Sequence, residues 1–344
     1  MGVAGDGLAS PRPAVFASSR PLVLCADQLL RVGLSLTSRA LVACLHLATR
    51  HPPMSVLALM LNALVWGLSW WPFRQFQAAG LHPLWTTVAI YLLAVAVISL
   101  SKPRAWAEFL RTPSLWLIML ASGLTNTAFN WGVALGDVVR VVLLFYLMPL
   151  WAVLLARLIL GERLMPLAAL RMLLALAGAA IVLMPAGGGL PLPSSLADML
   201  GVLGGFTFAF NNVMLRREVA CGAHARALAM FLGGVAVAGA AAAVMAGVAF
   251  IGWPALPGPF WLLPLAAMAV LFMLSNLALQ YGAGRLPANV TAVVMLTEVP
   301  VAALSAIWLG GGSLDLKTAL GGSCIVAAAL LAALERHRAA GATI

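Results

Sequence analysis

The sequence predicts an all-α integral membrane protein whose ten transmembrane helices form two inverted repeats of five. Three observations carry this. The 344 residues are 63% hydrophobic and only 9% charged, too little polar surface to keep a chain in water. Apolar runs of membrane length follow one another from Met54, with basic residues clustered after every second run. Three stretches of the first half recur, in order, in the second.

A helix needs about 20 apolar residues to cross a bilayer. Ten runs meet that requirement: 54–73, 84–100, 113–135, 139–160, 166–184, 196–215, 227–251, 259–281, 288–310 and 316–334. Turn residues divide them, most clearly Lys102-Pro103-Arg104, the Pro185 glycine run, Pro254 to Pro259, and Gly310 to Ser313. Gly136, Asp137 and Arg140 alone separate the third run from the fourth. Lys102, Arg104 and Arg111 follow span two. Arg157, Arg163 and Arg171 flank the turn after span four. Arg216, Arg217 and Arg226 follow span six, Arg285 follows span eight, and Arg336 and Arg338 follow span ten. The other side holds Arg74, Arg140 and Lys317. Positive charge marks the cytoplasmic side, so both termini are expected in the cytoplasm. One missed span would scramble the alternation.

The net charge of +10 would point to nucleic acid in a soluble protein. Here the basic residues sit in short clusters between apolar runs, as topology requires, and no nucleic-acid partner is expected. Cys25, Cys44, Cys221 and Cys324 are far apart and form no CxxC pair, so neither a disulfide framework nor a metal site is expected. There is no GxxxxGK[ST] loop for ATP, and no cofactor is implied.

The repeat is read from three matches. Asn126-Thr-Ala-Phe-Asn130-Trp131-Gly132 matches Asn276-Leu-Ala-Leu-Gln280-Tyr281-Gly282, Pro149 and Gly161 match Pro300 and Gly312, and Leu61 to Arg74 aligns with Leu203 to Arg216. Five spans per half force the second half to enter the membrane from the opposite side. The halves are then inverted repeats, an architecture suited to alternating access around a site near the midplane. The expected domains are 54–185 and 196–336, followed by a cytoplasmic tail, 337–344. Residues 1–53 carry five arginines and no clean apolar core. They read as an N-terminal extension, disordered or lying on the membrane surface.

The motifs in these spans resemble the EamA family of the drug/metabolite transporter superfamily. Trp66-Gly67-Leu68-Ser69-Trp70 is similar to that family's opening signature. Pro149 with Leu160-Gly161-Glu162 is similar to the end of its first repeat, and Glu298-Val299-Pro300 to its Glu-Pro element. Two departures stand out: Gly311-Gly312-Ser313 lacks the usual acidic residue, and one residue separates Glu298 from Pro300. The resemblance covers about Met54 to Leu334. It implies two repeats and a multi-pass transporter of a cell inner membrane, moving amino acids, other metabolites or drugs, with no enzymatic activity.

Glu298 is the costliest residue, a carboxylate inside an apolar run. It is open to three readings: a proton site that couples transport, a partner for an ammonium group on the substrate, or a structural group beside the break at Pro300. Asn126 and Asn130 share one helix face, and Asn276 and Gln280 repeat them. These amides either bond between helices or line a cavity that binds a polar solute. Ser69, Asn211 and Asn212 join them. Trp66, Trp70, Trp131, Tyr146 and Tyr281 are the candidate aromatic walls. Arg74, Asp137 and Arg140 form the charge at the outer mouth, where Asp137 reads as a helix cap and Arg74 as a contact for a substrate carboxylate. The expected partners are a small-molecule substrate, the lipid bilayer and protons as coupling ion. Two alternatives remain. One is a transporter of nucleotide sugars or phosphorylated metabolites, which would favour basic residues in the cavity. The other, an intramembrane enzyme or receptor, lacks paired aspartates or a Gly-x-Ser-Gly motif with a membrane histidine.

Overall fold

Helix termination by Pro, Gly and short polar caps sets the order of elements. The computed structural model describes residues 53–161, 166–185, 190–218, 220–254, 258–283, 285, 294–312 and 315–341. Residues 1–52, the Glu162-Arg163-Leu164 ending, residues 288–293 of the ninth run, Ser313 and residues 342–344 lie outside the described residues. So do the side chains of Pro149, Arg171, Arg216, Gln280, Arg336 and Arg338. The described helices are α1 (Pro53–Ala78), α2 (Pro83–Ser101), α3 (Arg104–Arg111), α4 (Ser114–Leu135), α5 (Val138–Phe145), α6 (Met148–Leu160), α7 (Pro166–Leu183), α8 (Leu196–Arg217), α9 (Ala223–Gly247), α10 (Pro259–Ala283), α11 (Glu298–Leu309) and α12 (Leu316–Gly341). No strand occurs among the described residues.

Five helical stretches are long and apolar enough to cross a membrane: Met54–Ala78, Pro83–Ser101, Val138–Ile159, Ala223–Gly247 and Phe260–Leu279. Shorter apolar helices, Met172–Leu183, Glu298–Leu309 and Leu316–Ala328, accompany them. Large hydrophobic side chains face outward along these helices, among them Leu100, Phe260 and Leu263. Such a surface belongs in lipid. The protein is a multi-pass membrane protein built of helices.

Two features differ from the sequence reading. The basic break after span two is itself a helix, α3. It buries Ala105 and Phe109, and Trp106 Nε1 donates to Ser99 Oγ at 2.9 Å. The fourth run is two helices, α5 and α6, separated at residues 146 and 147. Pro149 has no N–H to donate to the Phe145 carbonyl, so the α-helical ladder cannot continue through it. The chain tightens instead: Leu147 N–H bonds the Leu144 carbonyl at 3.2 Å and Leu150 N–H the Leu147 carbonyl at 3.0 Å. Pro300 produces the same interruption before α11, where Thr297 N–H bonds the Val294 carbonyl at 3.0 Å and Val299 N–H that of Leu296 at 3.2 Å.

Packing is mostly between the two halves of the chain. α4 packs on α8 and on α9, while α10 packs on α1 and on α2. α5 packs on α8, α11 on α1, α2 on α9 and α7 on α12. Two crossings are backbone-close because glycine meets glycine. A Cβ on Gly178 would lie 2.6 Å from the Gly321 carbonyl oxygen, and one on Gly321 would lie 2.6 Å from that of Gly178. A Cβ on Gly233 would strike the Met119 carbonyl oxygen, and one on Gly123 the Gly233 carbonyl. Between helices in lipid, such close approach supplies the van der Waals contact that drives association. Gly233→Leu is therefore expected to separate α4 from α9 at a cost above the 1–3 kcal/mol typical of overpacking. The check is the fraction of monodisperse protein by size exclusion in detergent, which should fall several-fold against wild type.

Polar caps finish the helices at one end of the bundle. Ser195 and Asp198 form a reciprocal capping box on α8, satisfying two of its orphan N–H groups. Asp137 caps α5 through the Arg140 N–H at 3.0 Å. His82 caps α2, its Nδ1 accepting from the Leu84 N–H at 3.3 Å. Burial holds the His82 pKa below its ordinary value, which keeps that nitrogen an acceptor.

Candidate functional site

A cavity lined by residues of both halves opens between the helices. α1 contributes Asn62 and Trp66, α2 Tyr91, α4 Ser122, Thr125, Asn126 and Phe129, and α5 Phe145. The second half supplies Phe208 and Asn211 from α8, Met230 and Phe231 from α9, and Phe272, Asn276 and Leu279 from α10. Met295 and Glu298 complete it at the break before α11.

The lining residues recur at helical spacing. Ser122, Thr125, Asn126 and Phe129 lie three and four apart, as do Phe272, Asn276 and Leu279, so each set forms one stripe down one helix face. The repeat is visible in the lining itself. The alignment pairs Trp66 with Phe208, Ser122 with Phe272, Asn126 with Asn276 and Phe129 with Leu279, and both members of every pair face the cavity.

Aromatic rings form a connected belt. Phe208 contacts Phe145 at 5.3 Å between centroids, Phe145 contacts Phe129 at 4.9 Å, and Phe129 meets Trp66 edge-on at 5.9 Å. Trp66 stacks on Phe272 at 4.8 Å, Phe272 on Tyr91 at 6.0 Å, and Tyr91 meets Phe231 at 5.5 Å. These offset and edge contacts are favourable ring geometries and hold the wall in place.

Glu298 is the charged group of this lining, and no Lys, Arg or His is among the described lining residues. It is buried, with 6% of its surface exposed, in the first turn of α11, where the helix N-terminus favours negative charge. Its Oε2 accepts from the Tyr146 O–H at 2.9 Å. The two proline-induced breaks therefore meet: Tyr146 leaves the first and reaches the carboxylate at the second. The Tyr146 O–H also lies 3.1 Å from the Met295 carbonyl oxygen. That carbonyl lacks its helical donor, because Val299 N–H is turned to Leu296.

Amides and hydroxyls join the helices around the cavity. Asn62 Nδ2 donates to the Ser275 carbonyl at 3.0 Å and to Ser275 Oγ at 2.6 Å, tying α1 to α10. Thr125 Oγ1 donates to Thr207 Oγ1 at 2.9 Å, tying α4 to α8. Asn126 accepts from the Tyr91 O–H at 2.7 Å and donates to the Ser122 carbonyl at 2.7 Å. Asn62 Oδ1 and Asn211 Oδ1 are buried without a hydrogen-bond partner.

Of the residues singled out from sequence, Trp66, Asn126, Asn211, Asn276 and Glu298 share this cavity, and Tyr146 touches it through Glu298. Others are engaged elsewhere. Asn130 donates to Thr87 Oγ1 at 3.2 Å, one turn beyond Asn126 and facing α2. Ser69 donates to the Trp66 carbonyl at 2.7 Å. Trp70 Nε1 donates to Ser305 Oγ at 3.0 Å. Trp131 packs its edge against His82. Asn212 is half-buried beside Asn211. Tyr281 is exposed, with the Arg285 guanidinium 3.8 Å above its ring. The side chain of Gln280 lies outside the described residues.

The predicted mouth charges make protein contacts at this end of the bundle. Arg74 Nε donates to the Val133 carbonyl at 3.2 Å and Nη2 to that of Gly136. It thus satisfies orphan carbonyls at the end of α4 while lying over Trp70. Arg140 forms a two-pronged ion pair with Asp198, at 2.6 and 2.9 Å, and donates to the Val182 carbonyl at 3.0 Å. Val138 N–H bonds the Gly311 carbonyl at 3.1 Å, and Lys317 Nζ bonds that of Met184. With Trp70 and Ser305, these contacts close that end across the two halves.

Asn62, Tyr91, Ser122 and Thr125 and the phenylalanines of the belt were missed from sequence. A signal existed for some of them: Asn62 lies four before Trp66, and Ser122 lies four before Asn126. The phenylalanines carry none, because an aromatic ring in a membrane helix also suits lipid.

Residues 53–184 match the EamA-like transporter family. Members of the EamA family are transporters rather than enzymes. Fourteen chains of solved structures match. One, described only as a crystal structure of a protein, has a TM-score of 0.53 and 18% identity, covering 83% of this chain and 98% of its own. At that identity the likeness is one of fold. No curated protein matches.

Proposed function

We propose that this EamA-domain protein is a secondary or facilitative transporter that exports small metabolites, such as amino acids or drug-like amphipathic solutes. It works by alternating access between two inverted five-helix repeats, 54–185 and 196–336, that supply ten spans. Residues 1–53 are an extension, 337–344 a tail, and both termini face the cytoplasm of an inner membrane. The observation that carries the reading is the cavity between the halves, lined by repeat-related pairs and holding one buried carboxylate. The reciprocal packing supports the inversion: α4 on α8 answers α10 on α1, and α5 on α8 answers α11 on α1. Each half then has the contacts needed to take the other's shape. Trp66, Asn126, Asn211 and Asn276 bind the solute, with Asn62 and Tyr91 added to the sequence-derived set.

Glu298 is the coupling group. The Tyr146 phenol has one proton and two acceptors within reach, at 2.9 and 3.1 Å. Ionised, the carboxylate accepts the hydrogen bond of the Tyr146 O–H. Protonated, it donates to the phenol oxygen, and the phenol turns to Met295. In both states the carboxyl and the phenol stay hydrogen-bonded to each other, so Glu298 can exchange a proton for a solute without either losing that partner. Phosphorylated solutes would meet no counter-charge in the described lining, which counts against that alternative.

The test is the purified protein in liposomes, offered amines, amino acids and nucleosides with an imposed pH gradient and no nucleotide. Gradient-driven solute movement, with counterflow when solute is placed on both sides, is the expected result. An absence of flux for every class, under either sign of gradient, would sink the proposal.

A further inference from the structure

We infer that the cavity selects organic monocations: a single protonated amine carried on a compact aromatic or apolar body, in preference to zwitterions and anions. This rests on the transport reading, which gives the cavity a solute, and narrows which solute it takes.

The charge balance of the lining points one way. Glu298 is negative when ionised, and no described lining residue is basic. The arginines that could have served are occupied at the closed end: Arg74 by the Val133 and Gly136 carbonyls, Arg140 by Asp198 and the Val182 carbonyl. A carboxylate or phosphate on the solute would lose its water, meet Glu298, and find no compensating cation, which is a strong device for rejection.

The polar groups lean the same way. The amide nitrogens of Asn62 and Asn126 donate to Ser275 and Ser122, so they are not free for a solute carboxylate. Among the fully buried lining atoms, two acceptors lack a hydrogen-bond partner: Asn62 Oδ1 and Asn211 Oδ1. The Asn62 orientation is fixed by chemistry, since a nitrogen must face the Ser275 carbonyl. Unpaired acceptors in a lining that also holds a carboxylate call for N–H donors.

The belt supplies the rest of the recognition. Ring faces attract cations, indole most strongly, and the attraction grows when water is excluded. Trp66 sits at the centre of the belt, between Phe129 and Phe272. A cation with an aromatic body would satisfy Glu298 with its head and pack its ring among the others.

Phenethylammonium, phenylalanine and phenylacetate share one ring and differ in charge, so they isolate the claim. With the purified wild-type protein in calorimetry, phenethylammonium is expected to bind about tenfold tighter than phenylalanine and about a hundredfold tighter than phenylacetate, each tenfold step being 1.4 kcal/mol. Trp66→Leu should weaken the amine about tenfold, within the range of a desolvated cation–ring contact. Glu298→Gln should bring the amine-to-phenylalanine ratio close to one. Equal or tighter binding of phenylalanine or phenylacetate by wild type, or no binding of the amine, overturns the inference. The two readings fail separately. Amine binding in the expected order without any flux in liposomes defeats transport and leaves selectivity standing. Flux that favours phenylalanine defeats selectivity and leaves transport standing.

Discussion

Glu298→Gln is expected to abolish coupled transport while leaving the fold in place. The glutamine carbonyl can still accept from the Tyr146 O–H, which lies 2.9 Å from the carboxylate, so the join between the two broken helices survives. The thermal midpoint in detergent should move by no more than a few degrees. What is lost is the charge. Removing one member of a buried charged contact costs about 2–5 kcal/mol of binding, a fall in affinity for a cationic solute of roughly 30-fold or more. The pH dependence follows with a definite sign. In wild type, protonation neutralises Glu298, so solute affinity falls as the pH drops through the titration of the carboxylate, about tenfold per pH unit once below it. In the glutamine variant the profile is flat. Proteoliposome flux and calorimetry between pH 5 and 8 measure both. A wild-type profile that stays flat, or a variant with full pH-dependent flux, removes Glu298 from the mechanism.

The membrane character was legible because hydropathy in lipid is a constraint on every residue of a span. Pro83, Pro166, Leu196 and Leu316 begin helices within one residue of the boundaries expected from Pro and Gly punctuation. The break inside the fourth run was harder to read. Pro149 announces the missing donor, but a proline near a helix start is also an ordinary first-turn residue. Which of the two applies depends on whether the preceding turn is helical, and that is a tertiary fact. α3 was hidden for another reason. Its Lys-Pro-Arg approach satisfies the charge rule so well that the buried Phe109 behind it drew no notice.

In the candidate site, the repeat did more than any single motif. It paired Asn126 with Asn276, and both line the cavity. It could not separate Asn126 from Asn130, because four residues of helix turn a side chain about 40° beyond a full turn. That drift is enough to send Asn130 to Thr87 instead of the cavity. The Tyr146 and Glu298 contact was out of reach for the same kind of reason. It joins residues 152 apart through two helix breaks, and no periodicity relates the phenol of one break to the carboxylate of the other.

Arg140→Ala is expected to loosen the closed end of the bundle. Asp198 is 2% exposed and holds both prongs of the Arg140 guanidinium, while Ser194 and Ser195 N–H groups support the same carboxylate. Removing the arginine leaves a buried charge without its counter-ion, at a cost of about 3–5 kcal/mol. If the protein alternates, that cost falls only on the state in which α5, α7 and α8 are joined at this end. The population then shifts toward the state open there by a factor of about 150 or more, since 1.4 kcal/mol is tenfold. Single cysteines at Trp70 or Ser305, in a background with the native cysteines replaced by serine, report the opening through a membrane-impermeant maleimide. Labelling should accelerate on adding Arg140→Ala, at temperatures well below its melting point. Asp198→Ala, combined in a double-mutant cycle, should add little, because the pair is already broken. If the ion pair serves only the fold, the melting temperature drops and labelling stays slow until unfolding begins. That outcome would assign Arg140 and Asp198 to assembly of the bundle and require the opening motion to lie elsewhere.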